Sequence, residues 1–210
     1  MAEIPAQKGP TDPELEALPV PRRPWRRATL ATMAVGGVLS VVLAGALVAT
    51  ASFSLQKGPP RELGSLTNVQ LGPGLENTWA HGEAELSERS LEYRRPLDPD
   101  RYRLAEVAGN RSLWVELRIP SGIEPERYVP PNSFVGRLMP FARAGLRHSA
   151  LADAVAQGFG HSPAPDAWVL IDGEAPSTTR WAWGLILLFL LFAAFDVWGI
   201  ARLSKPVRSQ

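Results

Sequence analysis

Few side chains in this sequence have the types and spacing that chemistry requires. His81, His148 and His161 are scattered, and none has a second ligand at the spacing of a metal site. The run 172–174, Asp-Gly-Glu, holds two carboxylates, but Asp-Gly is also the ordinary composition of a turn. There is no cysteine, no nucleophile elbow and no phosphate-binding loop. We therefore expect no catalytic residue, bound metal or cofactor, and keep an enzyme without a readable motif as an alternative.

One acid lies inside an apolar run. Asp196 interrupts Trp181–Ala201 six residues before Arg202, roughly one and a half helical turns from that charged end. An ionisable group inside a membrane span is by default a candidate proton site, ion site or partner for a basic group. The simpler interpretation is that Asp196 lies near the interface and pairs locally. An ion pathway through two helices would also require the chain to oligomerise.

Basic and aromatic residues concentrate in the segment Tyr128–Arg147, whereas glutamates concentrate in residues 76–92. Arginine, methionine and phenylalanine are enriched at the cores of protein interfaces, and cations are attracted to anionic headgroups. The pattern predicts a surface that contacts a partner protein or lipid, with these members: Arg127, Phe134, Arg137, Met139, Phe141, Arg143 and Arg147. The alternative is an arginine-rich loop folded over the sheet, with residues 76–92 as its counter-charge.

Two apolar runs indicate how the chain is held. As helices, Trp181–Ala201 and Leu30–Ala51 would measure roughly 31 and 33 Å, each about one bilayer core. A cleavable signal peptide is the alternative for the first run, because Ala49-Thr50-Ala51 has small residues at the peptidase spacing. The run is longer than an ordinary signal h-region and begins far from the N-terminus, so a retained anchor is favoured.

Small residues recur every four positions along the first run, among them Gly36, Ser40 and Ala44. Such a ridge lets two helices approach closely enough to gain dispersion contacts that lipid would not supply. We expect the ridge to pack against the second span, which is filled with leucine, phenylalanine and tryptophan. A homodimer through the same ridge is the alternative.

Arginine-rich flanks set the orientation. Basic residues precede the first run at 22–27 and follow the second at 202–208, which predicts that both termini are cytoplasmic. The predicted divisions are a disordered cytoplasmic tail at 1–27, transmembrane helices at 28–56 and 181–201, an extracytoplasmic domain at 57–180, and a cytoplasmic tail at 202–210. The preference for arginine over lysine is associated with bacterial genomes and favours an inner membrane with a periplasmic domain.

The domain between the runs is predicted to be α+β, mostly antiparallel, with at least one helix. In Ser112–Ile119, apolar residues alternate with Trp114, Glu116 and Arg118, which is typical of a half-buried strand. A helix is expected around Leu146–Val155, closed by Gly158. The other expected strands are Arg101–Val107, Ala167–Ile171 and, more weakly, Ser65–Leu71 and Thr78–Leu86.

This arrangement predicts a non-catalytic scaffold, accessory or assembly factor that binds another membrane protein through its extracytoplasmic domain. The layout is similar to that of the Surfeit-type assembly factors of cytochrome oxidase, which also carry a domain between two terminal spans. We expect the lipid bilayer and a membrane protein as partners, with self-association as an alternative. A nucleic-acid partner is not expected, because the sequence shows no basic, aromatic-interleaved pattern of the kind that binds nucleic acid. The competing functions are a membrane-anchored enzyme and an oligomeric transport subunit that uses Asp196.

Overall fold

The computed structural model describes residues 25–95, 98–124, 127–144 and 151–205. Its three α-helices are α1 (Arg26–Phe53), α2 (Leu151–Phe159) and α3 (Trp181–Ser204). The first and third have 28 and 24 residues, or about 42 and 36 Å of helix. Both are long and apolar enough to cross a membrane. The α+β class predicted from the sequence is confirmed, with the two apolar helices at the ends.

Helices α1 and α3 pack side by side in antiparallel directions, since Gly36 lies against Asp196 and Met33 against Gly199. Ser40 and Ala44 are buried in this contact, so the small ridge of α1 faces α3. The side of α3 that it meets is also small, with Ala193 and Gly199 in the interface. Most leucines of α3 are exposed instead, as is Phe195, while Phe192 is half-exposed and borders Gly36. Close approach of two helices requires small residues on both sides, which explains the difference from the expected bulky face.

The central domain is built on one mixed, seven-stranded sheet. Its strands are β1 (Arg61–Ser65), β2 (Thr78–Glu83), β3 (Leu86–Arg94), β4 (Arg101–Val107), β5 (Asn110–Ile119), β6 (Ser133–Pro140) and β7 (Trp168–Asp172). Their order across the sheet is β1-β2-β6-β7-β5-β4-β3. The β1–β2 and β5–β7 pairs are parallel, and the other neighbouring pairs are antiparallel.

Both faces of the sheet are covered. On one face, Leu113, Val115 and Leu117 of β5 pack with Leu66 and Leu75 from the connection after β1. On the other, Trp114 packs edge-on against Phe159 of α2, with ring centroids 5.0 Å apart. Strand β5 is therefore buried on both sides through its middle, including Glu116, and is not the half-buried strand that its alternation predicts. Strands at the centre of a covered sheet lose the polar face that alternation implies.

The arginine-rich segment contains a strand, which neither the predicted contact surface nor the alternative of a loop anticipated. Strand β6 lies between β2 and β7, with Phe134 and Leu138 in the core of one face and Met139 in the core of the other. Gly136 allows the backbone of β7 to approach, because a Cβ at this position would overlap the carbonyl oxygen of Ile171. The segment shows no apolar–polar alternation, because residues 136–139 are buried on both faces of the strand and include Arg137.

Helix α2 ends later than expected. Gly158 lies inside the helix against Leu91 of β3, and Gly160 closes the helix with a positive φ of 76°. The amide of Gly160 donates to the carbonyl of Ala156 at 3.0 Å. Glycine adopts this left-handed conformation without the steric penalty of a side chain, which explains the two-residue shift of the cap. Positions 146–150 of the predicted helix lie outside the described residues.

Candidate functional site

The predicted contact surface is divided by the fold. Phe134, Met139 and Phe141 are buried in the cores of the two sheet faces, and Arg137 is only 4% exposed. Arg127 and Arg143 are exposed, and each forms a surface ion pair, with Glu124 and Glu76 respectively. Arg147 lies outside the described residues. Among the described members, only the two exposed arginines can meet a partner directly.

Arg137 instead joins the sheet to the end of α1. Its Nε donates to Asn77 Oδ1 at 2.7 Å, and its Nη1 lies 3.3 Å from Glu174 Oε1 and 3.4 Å from Thr50 Oγ1. The guanidinium carbon also lies 4.9 Å from the centre of the Phe53 ring. Burial lowers the pKa of Arg137, while the Glu174 carboxylate opposes that shift. The Arg137 guanidinium is therefore held between the end of α1, strand β6 and the segment that leads into α3.

Asn77 and Gln56 extend this junction. Asn77, whose φ is +58°, donates from Nδ2 to the Ala49 carbonyl at 2.9 Å and to Ser52 Oγ at 3.1 Å. Gln56 donates to the Asn77 carbonyl at 2.5 Å and accepts from the amide of Trp79 at 2.9 Å. These bonds run in both directions between the last turn of α1 and the start of β2. We call the set Thr50, Phe53, Gln56, Asn77, Arg137 and Glu174 the junction.

A second buried ion pair lies on the same side of the sheet. Glu116 and Arg137 are both register partners of Ile171, so they flank it in one row across three strands. Arg95 is ion-paired with Glu116, and its guanidinium carbon stacks 3.9 Å from the Tyr102 ring centre. Burying a charge is tolerable when it is paired and hydrogen-bonded, and both charges in this row meet that condition.

A small polar pocket of about 240 Å³ opens between this row and the start of α3. The acids on its wall are Asp98, Asp172 and Glu174. Asp98 accepts from the Tyr102 hydroxyl at 2.5 Å, Asp172 accepts from the amide of Val135 at 3.0 Å, and Glu174 pairs with Arg137. Each carboxylate is thus committed to a contact that holds the fold together. The Asp172–Glu174 pair singled out in the sequence serves a turn and the junction.

Two aspartates near this pocket should respond oppositely to pH. Burial raises the pKa of Asp172, whereas hydrogen bonds from the Ser121 amide and Arg118 lower that of Asp100. Asp172 therefore contributes stability below its unfolded pKa of about 3.9, and this is lost as pH rises through its folded pKa. Asp100 contributes stability above its unfolded pKa, and this stability is lost as pH falls through its folded pKa.

We expect Asp172→Asn, which keeps the acceptor for Val135, to leave the unfolding temperature at pH 7 unchanged or raised. Asp100→Asn is expected to lower the unfolding temperature at pH 7. The difference between this variant and the wild type should disappear in acid. Thermal unfolding of both variants from pH 3 to pH 8 in one detergent checks this pair. Shifts of the same sign at pH 7 would contradict these assignments.

His81 lies between two polar side chains in the order of a Ser–His–acid triad. Its Nδ1 is 2.6 Å from Glu62 Oε2, and its Nε2 is 2.8 Å from Ser133 Oγ. The three residues come from the neighbouring strands β1, β2 and β6. In such an order the acid orients the imidazole, which then accepts the serine proton. The Glu62 side chain is 71% exposed, so water and salt weaken its influence on the ring.

Asp196 is buried between α1 and α3. Its Oδ2 has no hydrogen-bond partner within the described chain, and a Cβ at Gly36 would lie 3.2 Å from that oxygen. Arg202, the basic residue nearest to Asp196 in sequence, has its guanidinium carbon 5.3 Å from the Trp198 ring centre. Glycines at 36 and 37 thus make room for the carboxylate, and the two described helices leave one of its oxygens unpaired.

Sequence reasoning did not find the junction or the Ser133–His81–Glu62 triad. No motif surrounds Ser133 or Asn77, and His81 has no second ligand at the spacing of a metal site. The only local signal was the single arginine at position 137 among apolar residues. Comparisons of the chain with models of protein families, with curated proteins and with solved structures found no match.

Proposed function

We propose that this chain is a membrane-anchored accessory or assembly factor, which binds another membrane protein through its central domain. In this proposal α1 and α3 cross a bacterial inner membrane, both termini are cytoplasmic, and residues 57–180 lie on the periplasmic side. The retention of α1 is supported by its packing along α3 and by the burial of Ala51, which belongs to the alternative cleavage sequence.

The junction is the observation that carries this proposal. A domain on a flexible tether samples many heights and orientations, and ordering it on a partner opposes binding. Here Arg137, Asn77 and Gln56 bond the sheet directly to the end of α1. The Trp183 indole also donates to Ser54 Oγ at 3.0 Å, which ties the two helices together at the same level. A domain fixed in this way is already oriented for a partner that diffuses in the same bilayer.

The connection between β5 and β6 offers an exposed surface for this contact. Ile123 is 45% and Val129 85% exposed, and the neighbouring Arg127 is also exposed. Between them Tyr128 is held by Arg103, which donates to its carbonyl at 3.3 Å. An anchored loop that presents apolar groups and an arginine matches the composition of interface cores. We infer that Ile123, Arg127 and Val129 form the contact patch.

A photo-cross-linker tests this patch in native membranes. With benzoylphenylalanine at position 129, we expect one adduct of defined mass, and we expect Arg127→Glu to reduce its yield strongly. The matched control places the same residue at Ser162, which is exposed elsewhere on the domain and should give no such adduct. Equal adducts from both positions, or none from position 129, would count against a specific partner at this patch.

A second function, that of a membrane-anchored hydrolase, is favoured only by the hydrogen-bonded arrangement of Ser133, His81 and Glu62. In that mechanism Ser133 Oγ attacks an acyl carbonyl as its proton passes to His81 Nε2. The leaving group takes this proton, and water then hydrolyses the acyl-serine. We rank this function second, because the exposed Glu62 gives the imidazole a weakly held orientation.

A serine-reactive fluorophosphonate distinguishes the two functions. The accessory function predicts that the full-length protein reacts no faster than its Ser133→Ala variant. Hydrolase activity predicts labelling at Ser133 that is lost in Ser133→Ala and His81→Ala and weakened in Glu62→Gln. Labelling confined to Ser133 would move the hydrolase to first place.

A further inference from the structure

We propose that the groove beside Asp196 is the binding site for a transmembrane helix of another protein, which carries a lysine or arginine at the depth of this carboxylate. The proposal concerns the helix pair and goes beyond the contact patch on the central domain. It rests on the part of the proposed function that places α1 and α3 across a bilayer.

The groove runs between the outward edges of α1 and α3 and has a volume of about 440 Å³. Its walls are apolar apart from one group. They include Met33, Gly37, Val38, Val41 and Val197, and the polar group is Asp196. Small and β-branched residues leave a shallow channel against which another helix can lie.

Asp196 determines the chemistry of the occupant. The residue is 4% exposed, and its Oδ2 has no hydrogen-bond partner within the described chain. A carboxylate left unpaired in hydrocarbon is costly, and such groups are normally paired with another polar or charged side chain. Oδ2 faces Gly36 in the helix contact, and Asp196 is also one of the residues that line the groove, so its side chain borders both. The occupant should therefore bring a cationic donor.

The described residues leave Asp196 Oδ2 without such a donor, and the nearest cation in sequence, Arg202, has its guanidinium carbon 5.3 Å from the Trp198 ring centre. Residues 28–56 are uncharged, and Asp196 is the only charged residue in 181–201. Arg26 begins α1 ten residues before Gly36, about 15 Å along the helix axis, which exceeds the reach of its side chain. A second copy would bring only another acid at this depth, and two carboxylates in apolar surroundings repel each other. Charge complementarity thus favours a different chain.

The depth of the donor follows from the position of Asp196. It lies five residues before Ala201, the end of the apolar run, or about 7.5 Å along the helix. A matching helix therefore needs its lysine or arginine about five residues inside its own span, measured from the same membrane surface. A basic group at the opposite end would lie too far away.

The test uses the full-length chain in phosphatidylcholine vesicles and a synthetic leucine–alanine transmembrane peptide. The peptide carries one lysine at the matching depth, and a matched peptide has leucine there. Since the chain has no cysteine, Ser204→Cys gives a single site for an energy-transfer donor. We expect the lysine peptide to bind about tenfold more tightly than the leucine peptide. Asp196→Asn should reduce this preference to less than about twofold.

Two further variants separate the groove from the stability of the helix pair. Val38→Phe fills the groove while Asp196 stays in place, and we expect it to remove most lysine-peptide binding. Val48→Phe adds the same side chain at an exposed position of α1 outside the groove and should leave binding unchanged.

Equal binding of the two peptides would overturn the proposal, as would a lysine preference that survives Asp196→Asn. Self-association that depends on Asp196 and appears without peptide would make a second copy the occupant and would also overturn it. The cross-link from position 129 can fail while lysine preference persists. Failure of the contact patch is therefore distinguishable from failure of this site.

Discussion

Replacing Arg137 by methionine is expected to destabilise the central domain by about 3 kcal/mol, because it breaks a buried ion pair from one side. Methionine retains the apolar contact with Phe53 but leaves Glu174 without its cation and Asn77 Oδ1 without its donor. Thermal or denaturant unfolding in one detergent measures the loss. Hydrogen exchange should increase first at the amide of Trp79, which is bonded to Gln56 in the junction.

The matched control for this variant is Arg143→Gln. Arg143 is also ion-paired, at 2.7 Å from Glu76, but its side chain is 70% exposed. Exposed pairs contribute less than about 1 kcal/mol, so this variant should unfold close to wild type. Adding Glu174→Leu to Arg137→Met should cause little further loss, because it removes the carboxylate left behind. Equal destabilisation by Arg137→Met and Arg143→Gln would contradict the structural role of the junction.

Gly136→Ala is expected to have a larger effect, of about 4 kcal/mol or more. A Cβ at this position would overlap the Ile171 carbonyl oxygen and lie 3.0 Å from the Asp172 Cα. The obstruction is backbone, which cannot turn aside as a side chain can, so β6 and β7 must separate. Since β6 lies inside the sheet, between β2 and β7, the loss should spread across the whole domain. Unfolding midpoints and exchange of the β6 and β7 amides measure it.

Gly74→Ala provides the comparison for this substitution. A Cβ at position 74 meets nothing within 4 Å, and its backbone φ is not positive. We expect a change within about 0.5 kcal/mol, since surface substitutions away from special features have small effects. Similar unfolding midpoints for the two alanine variants would show that β6 and β7 are not packed as closely as described.

The sequence predicts the elements whose signal is local. Two long apolar runs correspond to α1 and α3, and alternating residues correspond to β5. Strand β6 was not predicted as a strand because its side chains serve two different surroundings. Phe134 enters a core while Arg137 enters the junction, so the segment has the composition of an exposed basic loop. The burial of Trp114 and Glu116 depends on α2 and Arg95, which are distant in sequence.

The candidate sites, too, can be predicted only where their signal is local in sequence. Arg137 stands out in the sequence as a single arginine among apolar residues, but its role depends on Thr50, Asn77 and Glu174, which come from three separate parts of the chain. Asp196 stands out because its segment is otherwise apolar. This signal needs no residue from outside α3, so the sequence alone reveals it. No local pattern connects Glu62, His81 and Ser133, since only strand pairing brings them together.

Labelling of single cysteines tests the central claim, that α1 and α3 cross the membrane and hold the domain on the side opposite both termini. The chain has no cysteine, so Ala2→Cys, Ser162→Cys and Ser204→Cys each introduce one site. In sealed vesicles with the periplasmic face outward, an impermeant maleimide should label only position 162. Positions 2 and 204 should react on the intact mature chain after permeabilisation. Labelling of either terminal position in sealed vesicles, or a mature chain that lacks position 2, would contradict this account.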